Sequence, residues 1–304
     1  MSEQSIVTGL APGTVKTEAA LPQTRVRGYW GNVWQRLRYD YGTLFFMAVI
    51  ILIILSAVFA PLLSPYDPNV SSMAHRLKPL FYRNHYLGTD EQGRDMLSRI
   101  LYGGRTSLMM GIAPVVVATV VGGLLGIIAG YAGGKLGMII MRCMDVFFAF
   151  PSVLLAVAIS GSMGGGLINQ LVSLTVVLIP PLCRVAETST SQIRNMDFVD
   201  AARASGASSV SILFHHVVIN VISPVLVYAS TLVPASIVLA SGLSFLGLGV
   251  SPPTPDWGLM LSTLRNAIYD QPMMCAMPGL AILITSIAFN LVSDGLRQAM
   301  DVKA

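Results

Sequence analysis

"FVDAARASGASSV", residues 198–210, interrupts a chain that is otherwise mostly apolar. The stretch is made of small residues, with Asp200 and Arg203 among them, and long uncharged runs lie close on either side. At 3.6 residues per turn it holds about two turns of soluble-looking helix and a turn. The runs around it decide the fold class. Its own residue types raise the question of what it meets.

The 304 residues are 54% hydrophobic and 11% charged, with a formal net charge of +4. Mean hydropathy is +0.68. Soluble domains carry about 25% charged residues, so composition points to a membrane protein. No charge falls between Asp40 and Asp67, Arg105 and Lys135, Asp145 and Arg184, Arg203 and Asp256, or Asp270 and Asp294. About 20 apolar residues cross a bilayer as a helix. The glycines of "GSMGGG" (161–166) split the third run. The pattern predicts an all-α, polytopic protein with about six spans, near 42–63, 106–131, 139–160, 167–188, 215–237 and 274–295. Continuous runs without period-two alternation argue against a barrel.

Residues 1–40 are polar and lack a signal-peptide pattern. They are expected to form a flexible cytoplasmic tail ending in Arg25, Arg27, Arg36 and Arg38. Basic residues near spans set topology, which explains the net charge better than nucleic-acid binding does. An even number of spans puts both termini on one side. With the termini inside, Lys135, Arg142, Arg184, Arg194 and Arg203 are also inside, and so is the short C-terminus 298–304. Loops 161–166 and 250–273 then lie outside and hold only Arg265. Loop 64–105 is the exception, with six arginines and lysines expected outside.

No P-loop is present. The nearest candidate, "GGKLG", has Leu136 where a magnesium-binding hydroxyl belongs. ATP chemistry must therefore come from another chain, and no cofactor is expected. Span centres lack ionisable residues, which argues against a proton-driven carrier. Arg142 and Asp145, and Asp294 and Arg297, fall near inner span ends, where boundary placement and local pairing explain them. Cys143, Cys183 and Cys275 are scattered and are expected to be small buried apolar residues. His215 and His216 are neighbours and do not share a helix face, so they make a poor metal site. No catalytic arrangement can be argued from spacing.

Three further patterns stand out. Ala118, Gly122, Gly126, Gly130 and Gly134 recur every four residues, a small face for close packing on another helix, of this chain or of a partner. "LGTDEQGRDMLSRILYGGRTSL" (87–108) predicts an interfacial helix capped by Thr89 or Asp90. "LSFLGLGVSPPTPDWGLML" (243–261) is broken by glycines and prolines. Broken backbone at membrane depth belongs inside protein or beside water, so Ser244, Phe245, Gly247 and Trp257 are candidates for a pathway or gate.

The opening stretch also carries a resemblance. "DAARASGAS" (200–208) resembles the EAA motif of ABC importer permeases, with Asp200 in place of Glu, followed by Ala201, Ala202 and Gly206. With 87–108, 243–261, "MRCMDVFFAFPSVLLA" (141–156) and "AFNLVSDGLRQAMD" (288–301), the chain is similar to the dipeptide, oligopeptide and nickel permease family, in the subunit type with a long first outer loop. Val218 and Ile219 stand where many members have Leu-Pro, which leaves a bend after His216 in question. Ser251 and Val302 also depart from common Gln and Pro.

The resemblance implies a type I importer core at 106–297, following a first span at 41–63 and the outer loop at 64–105. It implies that 198–210 is a cytoplasmic coupling helix entering a groove on an ATPase subunit. It further implies a second permease subunit (a heterodimer), two ATPase subunits, an extracytoplasmic binding protein and a place in the bacterial inner membrane. Small peptides are the leading cargo, with nickel or another metal complex as the alternative. A stand-alone channel or secondary carrier is the rival class.

Overall fold

The computed structural model describes residues 29–300. Arg25, Arg27, Val302 and Lys303 lie outside the described residues, as does most of the expected tail. Helix α1, Tyr29–Tyr39, corrects the tail's last part. Val33 and Leu37 are one helical turn apart and pack against Ala299, so an apolar stripe draws this segment onto the bundle. Asp40 caps α2, Tyr41–Val58, by accepting from Gly42 N at 3.1 Å and Thr43 N at 3.2 Å. Hydrogen bonds, chiefly from the Thr43 hydroxyl, hold the Asp40 carboxyl below its ordinary pKa.

A short helix α3, Ala60–Leu63, leads into an irregular segment up to residue 95. Helix α4 then runs from Met96 to Ala132. At 1.5 Å per residue it is about 56 Å long, more than the roughly 30 Å of a hydrocarbon core. The expected interfacial helix is therefore not a separate element. It is the first part of α4, and its cap is Asp95, which accepts from Ser98 N at 2.8 Å. Asp90 cannot cap it, because its buried carboxylate is engaged by Arg94 Nε at 2.6 Å and Arg99 Nε at 3.3 Å.

The third expected span is broken. Helices α5, Gly134–Phe148, and α6, Ser152–Ser162, meet at 88°. Pro151 lacks an N–H and disfavours helical geometry at Phe150, which ends α5 there. Helix α7 spans Leu167–Arg194, and the short α8, Asp197–Ala204, and α9, Ser209–Ile212, follow. A π-helical stretch, Leu213–Val218, joins α9 to α10, Ile219–Phe245. Together 209–245 form one long span candidate, so the fifth span starts earlier than hydropathy suggested. A wide turn stands there instead of a proline bend. Helix α11, Trp257–Leu264, and helix α12, Pro272–Met300, complete the chain.

Among the described residues five helices are long and apolar enough to cross a membrane, and a sixth span results if α5 and α6 count as one. Among the described residues the only β-pairings are two isolated bridges. The chain is an all-helical, multi-span membrane protein.

The centre of the bundle is the contact of α4 with α7. A β-carbon at Gly122 would lie 2.7 Å from the Ile179 carbonyl oxygen, and one at Gly130 2.6 Å from that of Glu187. Gly126 sits as tightly over Cys183, and Ala118 is fully buried. The small stripe thus packs within this chain. Gly134 is not part of it: α4 ends at Ala132, and Gly134 has φ +52° with open space around it. Leu178, Leu182 and Ala186 of α7 join Val221, Val225 and Ile237 of α10 in the main apolar core. Cys183 and Cys275 are buried, but Cys143 is exposed. It lies on a face of α5 that no other described residue covers.

The bundle has two unlike ends. One, the capped end, carries 64–95 and 246–267. The other carries Gly133 and the segment 195–208.

Candidate functional site

At the end opposite the cap, the polypeptide leaves α7 at Asn195 and turns into α8 through Met196, which is extended. Asp197 and Asp200 lie in the first turn of α8 and Arg203 in the last, which matches the helix dipole at both ends. Val199 is fully buried and packs with Ile193, Ile212 and Val217. That anchor fixes which face of α8 points outward. Asp200, Ala201, Arg203 and Ala204 are exposed, while Ala202 is half-buried. Arg203 Nη1 donates to Asp200 Oδ1 at 2.7 Å on the exposed side.

The end of α8 shows why glycine stands at 206. Gly206 N donates to the Arg203 carbonyl at 3.0 Å, and Ala207 N to that of Ala202 at 3.1 Å. These are the two bonds of a Schellman termination, which needs a left-handed residue between them. Gly206 has φ +83° and fills that place. Within this chain a β-carbon there would meet nothing within 4 Å. Ser208 then caps α9, its hydroxyl accepting from Ser211 N at 3.3 Å. The Tyr131 hydroxyl, near the end of α4, donates to the Ser209 carbonyl at 3.0 Å and ties the turn to the bundle.

Around this low surface stand apolar side chains without cover. Met196, Phe198, Val210 and Phe214 are between 42% and 65% exposed. The Phe198 ring lies 6.2 Å from that of His216. Sequence reading missed these four. A signal was available for Met196 and Phe198, large apolar residues beside a charged, small-residue turn and outside any apolar run, whereas Val210 and Phe214 were hidden in the start of the long span 209–245. His215 is exposed and directs Nδ1 to the Ser211 carbonyl, and among the described residues no metal-ligand cluster exists.

The capped end holds the remaining candidates. Ser244 is buried, and Gln170 Nε2 reaches its hydroxyl at 3.3 Å and the Ala240 carbonyl at 2.7 Å. Phe245 is exposed at the end of α10, and Gly247 turns the chain with φ +80°. The 161–166 turn docks here too, Gly166 N donating to Gly249 O at 3.1 Å. Trp257 is 3% exposed. Its indole N–H donates to Ile100 O at 3.0 Å, and its ring lies over Gly103 and Gly104 of α4. These four residues therefore do not share one surface: Phe245 and Gly247 are open, and Ser244 and Trp257 sit behind them.

Buried charge holds this end together, a feature that sequence reading placed only as loop charges. Arg99 Nη1 donates to Pro68 O at 3.0 Å and to Pro253 O at 3.2 Å, joining the two long loops. Asp256 accepts from the Ser107 hydroxyl at 2.8 Å and from Leu259 N at 3.1 Å. Burial raises the pKa of Asp256 above its ordinary value, against the opposing effect of those bonds. Arg105 caps α2 by donating to the Ala57 and Val58 carbonyls at 2.6 and 2.7 Å.

Comparison with known proteins gives this geometry a context. Residues 122–303 match the family model described as "Binding-protein-dependent transport system inner membrane component". Residues 28–79 match the model of the N-terminal TM domain of oligopeptide transport permease C. The chain is 40% identical over 275 residues to the di/tripeptide transport system permease protein DppC of Pseudomonas aeruginosa, covering 89% of this chain and 91% of that one. It is 40% identical over 288 residues to the glutathione transport system permease protein GsiD of Pectobacterium atrosepticum, covering 94% and 96%. It is 36% identical over 289 residues to the probable D,D-dipeptide transport system permease protein DdpC of Escherichia coli, covering 95% and 97%.

Proposed function

The chain belongs to the family of inner membrane components of binding-protein-dependent transport systems, and on that premise we propose that residues 196–218 are its contact with an ATPase subunit. It is a permease subunit of an ABC importer and not the catalytic one. The observation that carries the coupling reading is the build of α8 and its turn. One side is pinned by Val199. The other side is small-residued and open at Ala201, Ala204 and Gly206, and exposed Met196, Phe198, Val210 and Phe214 surround it. Such a surface fits a cleft on a soluble partner, because exposed large apolar residues concentrated around one turn mark an interaction site.

In this reading the end bearing 195–208 faces the cytoplasm, and the loop end faces the opposite side. The loop charges support that orientation. A loaded binding protein would then meet the capped end. Ser244, Phe245, Gly247 and Trp257 would serve the closure there, with Phe245 and Gly247 at the surface and Trp257 as the peg that holds α11 on α4. A second permease subunit completes the path, and two ATPase subunits drive it. ATP binding closes the ATPases, moves α8 and opens the capped end. Hydrolysis resets it.

The cargo proposed is a short peptide. The names of the relatives support this, since di/tripeptides, a D,D-dipeptide and glutathione are all short peptides or their derivatives. The test is reconstitution of the complete transporter in vesicles. ATP-driven uptake of labelled di- and tripeptides, dependent on the binding protein, is the expected result. Uptake of a nickel complex without peptide uptake would replace this cargo assignment.

A further inference from the structure

One face of the bundle carries a groove built partly from the segments 141–156 and 288–301. Its middle is a pocket of about 220 Å³ lined by Phe147, Phe148, Phe150, Pro180, Pro181 and Leu239, among others. Toward the 195–208 end lies a second pocket of about 580 Å³, whose lining includes Ser223, Thr231, Asp294 and Arg297. Tyr228 lines both pockets and stands between them. Among the described residues nothing takes a hydrogen bond from its hydroxyl.

Three features mark this face as unsuited to lipid. Arg184 Nη2 meets Asp145 Oδ1 at 2.5 Å, yet the two side chains remain 51% and 41% exposed. Asp294 and Arg297 are exposed and form no ion pair among the described residues. The break between α5 and α6 leaves 149–152 open at every residue, at a point where the helix ladder is interrupted. Charges and unladdered backbone are costly against hydrocarbon and are placed toward protein or water. The Arg184 guanidinium lies 4.6 Å over the Phe148 ring, so charge and aromatic surface adjoin in the same groove.

The chemistry of the groove selects its occupant. Opposite charges stand at two places, Asp145 paired with Arg184 and, three residues apart on α12, the exposed and separate Asp294 and Arg297. The pocket on the other side of Tyr228 from Asp294 and Arg297 offers aromatic and proline surfaces that discriminate little among side chains. A short zwitterionic peptide presents the complement, one charge of each sign with variable side chains between. We propose that this groove is the chain's own wall of the cargo path, that Tyr228 is the constriction between its two pockets, and that the Asp145–Arg184 pair and the separate charges of Asp294 and Arg297 engage the peptide termini in passage. This rests on the permease reading and extends it to named residues, away from the capped end where the sequence pattern placed the path.

The experiment uses the complete transporter in vesicles, with a labelled mixture of di- and tripeptides as the probe. Tyr228→Trp narrows the constriction. Its maximal uptake falls about tenfold, the factor that roughly 1.4 kcal/mol on passage gives. Half-saturation stays unchanged, because the binding protein sets it. Leu124→Trp, at an exposed position of α4 outside the groove, leaves uptake within about twofold, since substitutions at open surfaces stay within about 0.5 kcal/mol. A second arm does not depend on a bulky residue. In a Cys143→Ser background, Tyr228→Cys is modified by a charged methanethiosulfonate reagent and uptake is lost, whereas Leu124→Cys keeps its uptake under the same treatment. Unchanged maximal uptake in Tyr228→Trp, or full uptake after modification at 228, overturns the path assignment. No peptide uptake by the unsubstituted transporter overturns the cargo reading beneath it, and the two failures are thereby told apart.

Discussion

Gly126 of α4 lies directly on the backbone of Cys183 in α7: a β-carbon at 126 would overlap the Cys183 carbonyl oxygen and sit 2.6 Å from Cβ of Ala186. No flexible side chain is available to move aside, because two of the three nearest atoms are backbone. Gly126→Leu should therefore lower thermal stability and the yield of assembled complex. Overpacking costs about 1–3 kcal/mol, and this site belongs at the upper end. Fluorescence-detected size exclusion after heating measures it. Gly134→Leu, in open space, should cost far less, apart from the strain of its φ of +52°.

Trp257 should prove to be a structural peg. Trp257→Ala empties the place over Gly103 and Gly104 and removes the indole donor from the Ile100 carbonyl. Large aromatic truncations in cores cost about 3–5 kcal/mol. The melting temperature of the purified complex should fall, and limited proteolysis should cut first within 246–267. Unchanged melting would show that the ring contributes little to holding the capped end.

Asp256 gives the capped end a pH dependence. Its pKa is raised in the folded chain, mainly by burial, so the folded state holds the proton more tightly than the unfolded state does. Stability contributed by this group is present below its ordinary value of 3.8 and is lost as pH rises through the folded value. Asp256→Asn keeps an acceptor for Leu259 N and removes the buried charge. Thermal melts of both proteins against pH should show the native chain losing stability relative to the variant as pH rises from acid toward neutral. Parallel profiles would show that Asp256 does not titrate in this window.

Labelling tests the orientation. With Cys143→Ser as background, a cysteine at Asn84 should react only from outside intact cells, and one at Ser208 only after the membrane is opened. Reaction of position 84 from the cytoplasmic side alone would invert the topology and, with it, the coupling role of 198–210.

Much of this was readable from residues, for identifiable reasons. Helix type and rough span positions followed from charge-free runs, since hydrocarbon tolerates little else. The small stripe of α4 was legible because close helix approach admits only glycine and alanine at fixed spacing, although its partner within the chain was not. Gly206 was legible because a positive φ at a helix end selects glycine. Sequence pattern misplaced the start of α4, since Thr89 and Asp90 are plausible caps as well as Asp95. The burial of the Asp90 carboxylate between Arg94 and Arg99 takes it out of that role and leaves Asp95 as the cap. Hydropathy also passed over the break at Pro151, because the flanking residues stay apolar on both sides. The Tyr228 groove was hidden for a different reason: its walls come from α5, α6, α7, α10 and α12, and no local pattern joins them.

The central claim is that α8 and its turn couple this chain to an ATPase, and Gly206→Arg tests it most directly. Within the chain a β-carbon at this exposed position meets nothing within 4 Å, and the cost is the strain of a left-handed residue, about 1–2 kcal/mol. The permease should still insert, assemble with its partner permease and melt within a few degrees of the native protein. In reconstituted vesicles it should lose ATPase co-purification, or keep the ATPase but hydrolyse ATP without peptide uptake. Normal ATPase binding together with normal ATP-driven uptake in Gly206→Arg would contradict the account.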